Sequence, residues 1–141
     1  MTEDAPAAAA APPQNLNDAL GMQVGEFDEE RITGSFEVTD RVRQPFGIVH
    51  GGAYAALAET LASVGTYFAV QANGDIAVGQ NNDTSFMRPV SSGTVHAEGT
   101  RRHRGRTSWI WDVEFSDDEG RVCAISRVTI AVRPAPAPPA S

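Results

Sequence analysis

The sequence predicts an α+β fold: an antiparallel sheet folded around one long helix. Three observations carry this. The run from Gly51 to Val70 is built from Gly, Ala, Leu, Tyr, Val, Phe and hydroxyl residues, with Glu59 as its only charge. The stretches around it alternate apolar and polar residues with a period of two, the pattern of half-buried strands. Their order is two strands, the long helix, then four strands.

Taken in order, residues 1–14 and 134–141 are Ala- and Pro-rich and read as solvated, disordered tails. That leaves residues 15–133 as a single domain. Asn15 to Gly21 has the makings of a short capped turn that ends at glycine. Met22–Phe27 and Arg31–Val38 read as strands around an Asp28-Glu29-Glu30 turn, with Ile32, Gly34, Phe36 and Val38 on one face. Asp40 to Pro45 is a loop, since Pro45 bars a continuous helix or central strand. The helix follows. After a turn at Asn73-Gly74-Asp75, Ala77–Arg88 is a strand carrying the polar run Gln80-Asn81-Asn82-Asp83-Thr84. Thr94–Arg101 places Val95, Ala97 and Gly99 on one face. Trp109, Trp111, Val113 and Phe115 alternate ahead of a turn at Asp117 to Gly120. Val122, Ala124, Ser126, Val128, Ile130 and Val132 alternate in the last strand.

Composition narrows the functions. A chain of 141 residues fits one domain with a real core. A net charge of -7 disfavours general attraction to nucleic acid or to anionic membrane. The single cysteine, Cys123, excludes an internal disulfide and suits a reducing, cytoplasmic setting. The N-terminal segment has neither the basic start nor the apolar stretch of a signal peptide. Lysine is absent, which removes Schiff-base chemistry and a P-loop. Three scattered histidines, none paired at helical spacing, argue against a metal site. No G-x-S-x-G elbow supports a Ser-His-Asp hydrolase.

The long run is apolar on every side, so it is expected to be buried in protein or lipid. Lipid is disfavoured, because a mid-span carboxylate costs about 3 kcal/mol on insertion scales. Burial would make Glu59 either a structural group bonded to the core or a functional one. Two neighbours point to function. Ser63 lies one helical turn on, on the face of Glu59. His50-Gly51-Gly52 would leave unpaired amides at the helix start, a ready oxyanion site without Cβ atoms in the way. Gly51 and Glu59 are separated by about 12 Å along one helix, whereas attack on a carbonyl needs atoms about 3–3.5 Å apart. A second, antiparallel copy of the helix would close that gap, so the spacing hints at a site shared between subunits.

Gln44-Pro45-Phe46-Gly47-Ile48-Val49-His50-Gly51-Gly52, followed by Leu57 to Ser63 with Glu59, resembles the hotdog-fold acyl-CoA thioesterases. More narrowly it resembles the PaaI-like branch, with the 4-hydroxybenzoyl-CoA and 1,4-dihydroxy-2-naphthoyl-CoA thioesterases. The likeness extends from about Leu20 to Val132 and includes Gly79, Phe86-Met87-Arg88-Pro89 and His103-Arg104-Gly105-Arg106. It implies a homotetramer, a dimer of hotdog dimers, with active sites at the dimer interface. It also implies that Glu59 acts as nucleophile or general base. Gln44 and Gly51 of the neighbouring subunit would position the thioester carbonyl, and Ser63 would hold the attacking water. His50 orients the helix-start loop. No cofactor is implied, because coenzyme A enters as part of the substrate.

Four of the eleven arginines lie within Arg101-Arg102-His103-Arg104-Gly105-Arg106. The stretch reads as a coenzyme A phosphate clamp, since guanidinium matches phosphate oxygens in pairs, or as an exposed, solvated loop. The resemblance favours the clamp, lined by His103, Arg104, Gly105, Arg106, Thr107 and Ser108 together with Phe86, Met87, Arg88 and Pro89. Asn81 and Asn82 either line an acyl pocket or form a hydrogen-bond network on the sheet, and Cys123 reads as core. The leading function is hydrolysis of an acyl-CoA thioester. A non-catalytic acyl-CoA binding protein and a hotdog-fold hydratase or dehydratase are the alternatives. The resemblance implies an aromatic or bulky acyl group, for which Phe46, Tyr54, Tyr67, Phe68 and Phe86 are either flat contacts or ordinary core.

Overall fold

Residue size sets how closely the long helix approaches the sheet. In the computed structural model, which describes residues 11–140, the helix α2 spans Gly51–Val70. A Cβ on Gly65 would come within 2.8 Å of the Trp111 ring, and one on Gly34 within 2.8 Å of Leu61. Only glycine permits either contact. Trp111 is then pinned, its indole N–H donating to Thr66 Oγ1 at 3.0 Å, while Thr66 donates onward to the Ala62 carbonyl at 2.8 Å.

Beside α2 lie six strands: β1 (Gln23–Phe27), β2 (Arg31–Glu37), β3 (Asp75–Phe86), β4 (Thr94–Arg104), β5 (Ser108–Ser116) and β6 (Val122–Pro134). They form one antiparallel sheet in the order β1-β2-β4-β5-β6-β3. The long β3 is therefore an edge strand beside β6. Ile32, Phe36, Val95, Trp109, Trp111, Val113, Phe115, Val128 and Ile130 from the sheet close on Leu57 and Leu61 from the helix. Burying side chains of this kind contributes about 1.5–3 kcal/mol each. Cys123 lies in this core, as expected. No helix among the described residues is long and apolar enough to cross a membrane.

The N-terminal turn forms as expected. In α1 (Leu16–Leu20), Asn15 Oδ1 accepts from the Asp18 amide at 3.0 Å, and Gly21 closes the turn at φ 68°. The first ten residues of the N-terminal tail and Ser141 lie outside the described residues.

Three expectations need correction. First, α2 is not buried on every side. Ala53, Tyr54, Leu57, Ala58, Leu61, Ala62, Gly65 and Thr66 face the core, while Gly52, Glu59 and Tyr67 are exposed. One sheet covers only one side of a helix, so a run apolar all round leaves a second face open. Second, β4 continues past Arg101 to Arg104, so Arg102, His103 and Arg104 belong to a strand rather than a loop. The ladder Arg101↔Trp111, His103↔Ile110 and Arg104↔Trp109 holds them, with an irregularity at Arg102. Third, Val122 does not share the inward face. The register shifts opposite Phe115 and Ser116, which turns both Cys123 and Ala124 inward and leaves Val122 37 % exposed.

Candidate active site

The start of α2 is organised by His50. Its Nδ1 accepts from the Gly52 amide at 2.8 Å, and its carbonyl accepts from the Ala53 amide at 2.9 Å. Among the described residues the Gly51 amide has no partner, so one donor stays free where the helix dipole is most positive. His50 therefore serves the loop geometry, as the sequence suggested. The preceding loop is a tight turn. Gly47, at φ 85°, donates to the Gln44 carbonyl, and the Gln44 amide donates to the Ile48 carbonyl at 2.8 Å. The Phe46 amide donates to Gln44 Oε1, which commits the oxygen of that side chain and leaves its NH2 as the free end.

Glu59 lies two turns further along. It is exposed and makes no hydrogen bond or ion pair among the described residues. Its carboxylate stands directly over Gly79, at the place a Cβ there would occupy. With Gly79, Gln80, Asn81 and Asn82 it lines a cleft of about 170 Å³. A backbone bulge between Gly79 and Asn81 shapes that cleft. Ser63, half-buried, follows one turn on. The structure decides how Asn82 is used. Its Nδ2 donates to the Ala55 carbonyl at 2.9 Å, and its Oδ1 accepts from Thr84, which also meets Ser126 at 2.8 Å. Asn82 thus ties α2 to the sheet, whereas exposed Asn81 lies at the cleft.

Within one chain the helix start and Glu59 remain apart. The element that spans both is β3. Its Gly79 lies under Glu59, and the ring of Phe86 lies against Gly51.

The arginines divide into two groups. Arg101 and Arg104 lie over the Trp109 ring, at 5.3 and 4.8 Å from its centroid, and the Glu29 side chain takes a hydrogen bond from Arg104 at 2.5 Å. Arg102 pairs with Asp112 at 3.3 Å. Asp112 also receives both ends of the Arg127 fork, and those bonds hold its carboxyl below the usual range. Arg88 and Arg106 make no ion pair among the described residues. Gly105, Arg106 and Thr107 form the β4–β5 turn, closed by the Gly105 amide donating to the Ser108 carbonyl at 2.8 Å. Since Trp111 packs under Gly65, this hairpin lies toward the C-terminal end of α2, away from Gly51. Sequence reading missed Glu29, because 75 residues separate it from Arg104 and only the folded sheet joins them.

Tyr54 is not an acyl contact. It is 3 % exposed, its ring set among Phe36, Phe86 and Phe115, and its hydroxyl is buried without a hydrogen-bond partner among the described residues. Burial pushes the phenol well above its ordinary range, and the neighbouring Cys123 adds to the shift. Burial likewise raises the Cys123 thiol.

Comparison with known proteins converges on one family. Residues 46–124 match the family model described as the thioesterase superfamily. A proofreading thioesterase, EntH, of Cronobacter turicensis is 38 % identical over 83 % of this chain and 85 % of its own length. The crystal structure of a mutant thioesterase from Pseudomonas aeruginosa superposes with a TM-score of 0.83 at 38 % identity, covering 86 % of this chain and 88 % of that one. The PaaI protein of E. coli, from the phenylacetic acid degradation operon, superposes with a TM-score of 0.72 at 24 % identity over 82 % of this chain and 81 % of its own. That last likeness speaks for the fold.

Proposed function

Because this chain belongs to the thioesterase superfamily and has its hotdog fold, we propose that it hydrolyses an acyl-coenzyme A thioester, with Glu59 as the catalytic carboxylate, at a site completed by a second copy of the chain. Thioester hydrolysis itself follows from the family. The observation that carries the finer reading is the placement of Glu59: unpartnered, on the open face of α2, over a glycine and beside a hydroxyl.

The chemistry needs a carboxylate free to act and a donor for the developing oxyanion. Glu59 either attacks the carbonyl carbon or takes a proton from a water held by Ser63. The C–S bond breaks, water supplies the hydroxyl of the acid, and the thiol of coenzyme A leaves with a proton. The Gly51 amide and the Gln44 NH2 are the free donors for the carbonyl oxygen. No cofactor beyond the substrate is required.

The second copy is argued from the edge strand. A long unpaired edge is a template for another strand. Antiparallel pairing of two β3 edges about a twofold axis between Asn82 and Asp83 would set Gly79 of one copy opposite Phe86 of the other. Glu59 stands over the former and Gly51 over the latter, so each Glu59 would meet the second copy's Gly51. Two such dimers would make the tetramer. Coenzyme A phosphates are assigned to Arg88 of one copy and Arg106 of the other, which the β3 pairing would bring to one side and which have no carboxylate partner among the described residues, with Met87, Pro89, His103, Gly105, Thr107 and Ser108 nearby in sequence. The acyl group is assigned as aromatic or bulky. The polar run on β3 suits a hydroxylated ring, because buried polar groups left unpaired cost about 1–3 kcal/mol.

The test is a thiol-release assay. The wild-type protein is expected to favour benzoyl-CoA over palmitoyl-CoA by at least about tenfold in kcat/KM, or about 1.4 kcal/mol. Gln44→Ala and Glu59→Ala chains, each inactive alone, should recover part of the activity when mixed under subunit exchange. Verified mixed oligomers without recovery would overturn the shared site, and a palmitoyl preference would overturn the acyl assignment.

A further inference from the structure

Phe86 carries more than a place beside coenzyme A. Its side chain is 58 % exposed, yet its ring is pressed against the start of α2. A Cβ on Gly51 would meet three of its ring carbons at 2.6, 2.9 and 3.1 Å. No residue but glycine can stand there while the ring stays.

The ring is also held from behind. The Tyr54 ring lies 6.0 Å from it, and Tyr54 is wedged between Phe36 and Phe115 at 5.9 and 5.2 Å. The backbone just after Phe86 is tied down as well, since the amides of Met87 and Arg88 both donate to the Cys123 carbonyl, at 2.9 and 3.1 Å. An exposed aromatic ring anchored from two sides is a fixed wall. What it walls is the peptide that carries the Gly51 amide, which has no partner among the described residues.

We propose that Phe86 is a positioning residue for the Gly51 amide, fixing that peptide and shielding one side of it so that the N–H is presented to the substrate carbonyl oxygen. The inference rests on the reading of Gly51 as the oxyanion donor. A donor held in place before the reaction needs no reorganisation as charge develops, and an apolar wall beside it strengthens its hydrogen bond by excluding water. Phe86 acts through Gly51 rather than on the reacting atoms. A coenzyme A contact would support binding of substrate and transition state alike, whereas a residue that aims a donor affects the transition state.

The two roles separate in kinetics. With benzoyl-CoA as the probe, Phe86→Ala should lower kcat about tenfold, a fraction of what loss of an oxyanion donor costs, with KM changed less than about threefold. Phe86→Tyr, which keeps the ring, should restore most of kcat. Phe86→Leu, which keeps bulk for folding but not the flat wall, should behave like Phe86→Ala. A raised KM with unchanged kcat in the Ala and Leu variants would show a coenzyme A contact only and overturn the proposal. A second measurement needs no substrate. In 15N-labelled protein, Phe86→Leu should move the Gly51 amide resonance and speed its hydrogen exchange, with the Trp109 and Trp111 indole resonances in place as a check on the fold. A Gly51 amide that neither moves nor exchanges faster overturns the proposal. If the wild type leaves benzoyl-CoA and the wider acyl-CoA panel intact, the proposed function falls, while the amide measurement still decides the role of the ring.

Discussion

The two faces of α2 are built from similar residues and meet opposite fates. On one, Tyr54, Leu57, Ala58, Leu61, Gly65 and Thr66 are sealed against the sheet, with Gly65 making room for Trp111 and Gly34 for Leu61. On the other, Gly52, Ala56, Glu59, Ser63 and Tyr67 are left wholly or partly open. Packing fills the first face to the density of an organic crystal, so changes in volume there should be felt as stability. The second face holds a carboxylate with no partner among the described residues, so changes in chemistry there should be felt as rate. A helix that is apolar all round therefore has two surfaces, one covered by its own sheet and the other open, where the proposed function puts substrate and a second copy.

The largest test of that division is Glu59→Gln. On a thioesterase site it should lower kcat by about 100-fold or more, as expected for a lost nucleophile or base. Because Glu59 makes no hydrogen bond or ion pair among the described residues, the unfolding free energy from urea should stay within the range of surface substitutions, about ±0.5 kcal/mol. A loss of only a few-fold in kcat would remove Glu59 from the chemistry. A large drop in stability would place it on the structural side of the helix after all.

The converse test is Gly65→Val on the sealed face. The new side chain would collide with the Trp111 ring, which is fully buried and held by its bond to Thr66. Overpacking of this kind costs about 1–3 kcal/mol, more than the few tenths that helix propensity gains on replacing glycine. Urea denaturation should show that loss, while kcat at a temperature where the protein stays folded should change little. Unchanged stability would mean that the sheet yields, and that the close approach is not set by glycine.

Much of this was legible in the sequence, for reasons that can be named. Period-two alternation revealed the inward faces of β2 and β5, because a strand half-buried on one sheet has no other way to sort its residues. The capped turn at Asn15–Gly21 was equally local. The lone Glu59 and the glycines after His50 marked the candidate site, because each is out of place in an apolar helix. What the sequence could not show depends on where elements stop and what they meet. The extension of β4 to Arg104 is decided by its ladder to Trp109, and the inward turn of Cys123 by a register shift against Phe115. The half-open state of α2 follows from the geometry of one sheet covering one side. The burial of Tyr54 was hidden because aromatics suit a core and a pocket equally well.

The contrast between partnered and unpartnered groups recurs among the arginines and gives the smallest predicted effect. Arg104 is held twice, by the Trp109 ring at 4.8 Å and by Glu29 at 2.5 Å, and Arg102 is committed to Asp112. Arg106, at the tip of the β4–β5 turn, has no such partner among the described residues, and neither does Arg88. A phosphate approaching Arg104 has to compete with a carboxylate already there, whereas one approaching Arg106 displaces only water. Exposed charge pairs are worth about 0–1 kcal/mol, so the competition is modest but has a definite sign. Arg106→Ala and Arg88→Ala should each raise KM for an acyl-CoA about fivefold with kcat little changed, the signature of uniform binding. Arg104→Ala should raise it by about twofold or less. The effect should vanish with an acyl-pantetheine thioester, which lacks the nucleotide phosphates, and should weaken as salt is raised. If Arg104→Ala proves the more damaging of the three, the phosphates displace Glu29 on binding, and the group that looked satisfied in the free chain is the one the substrate uses.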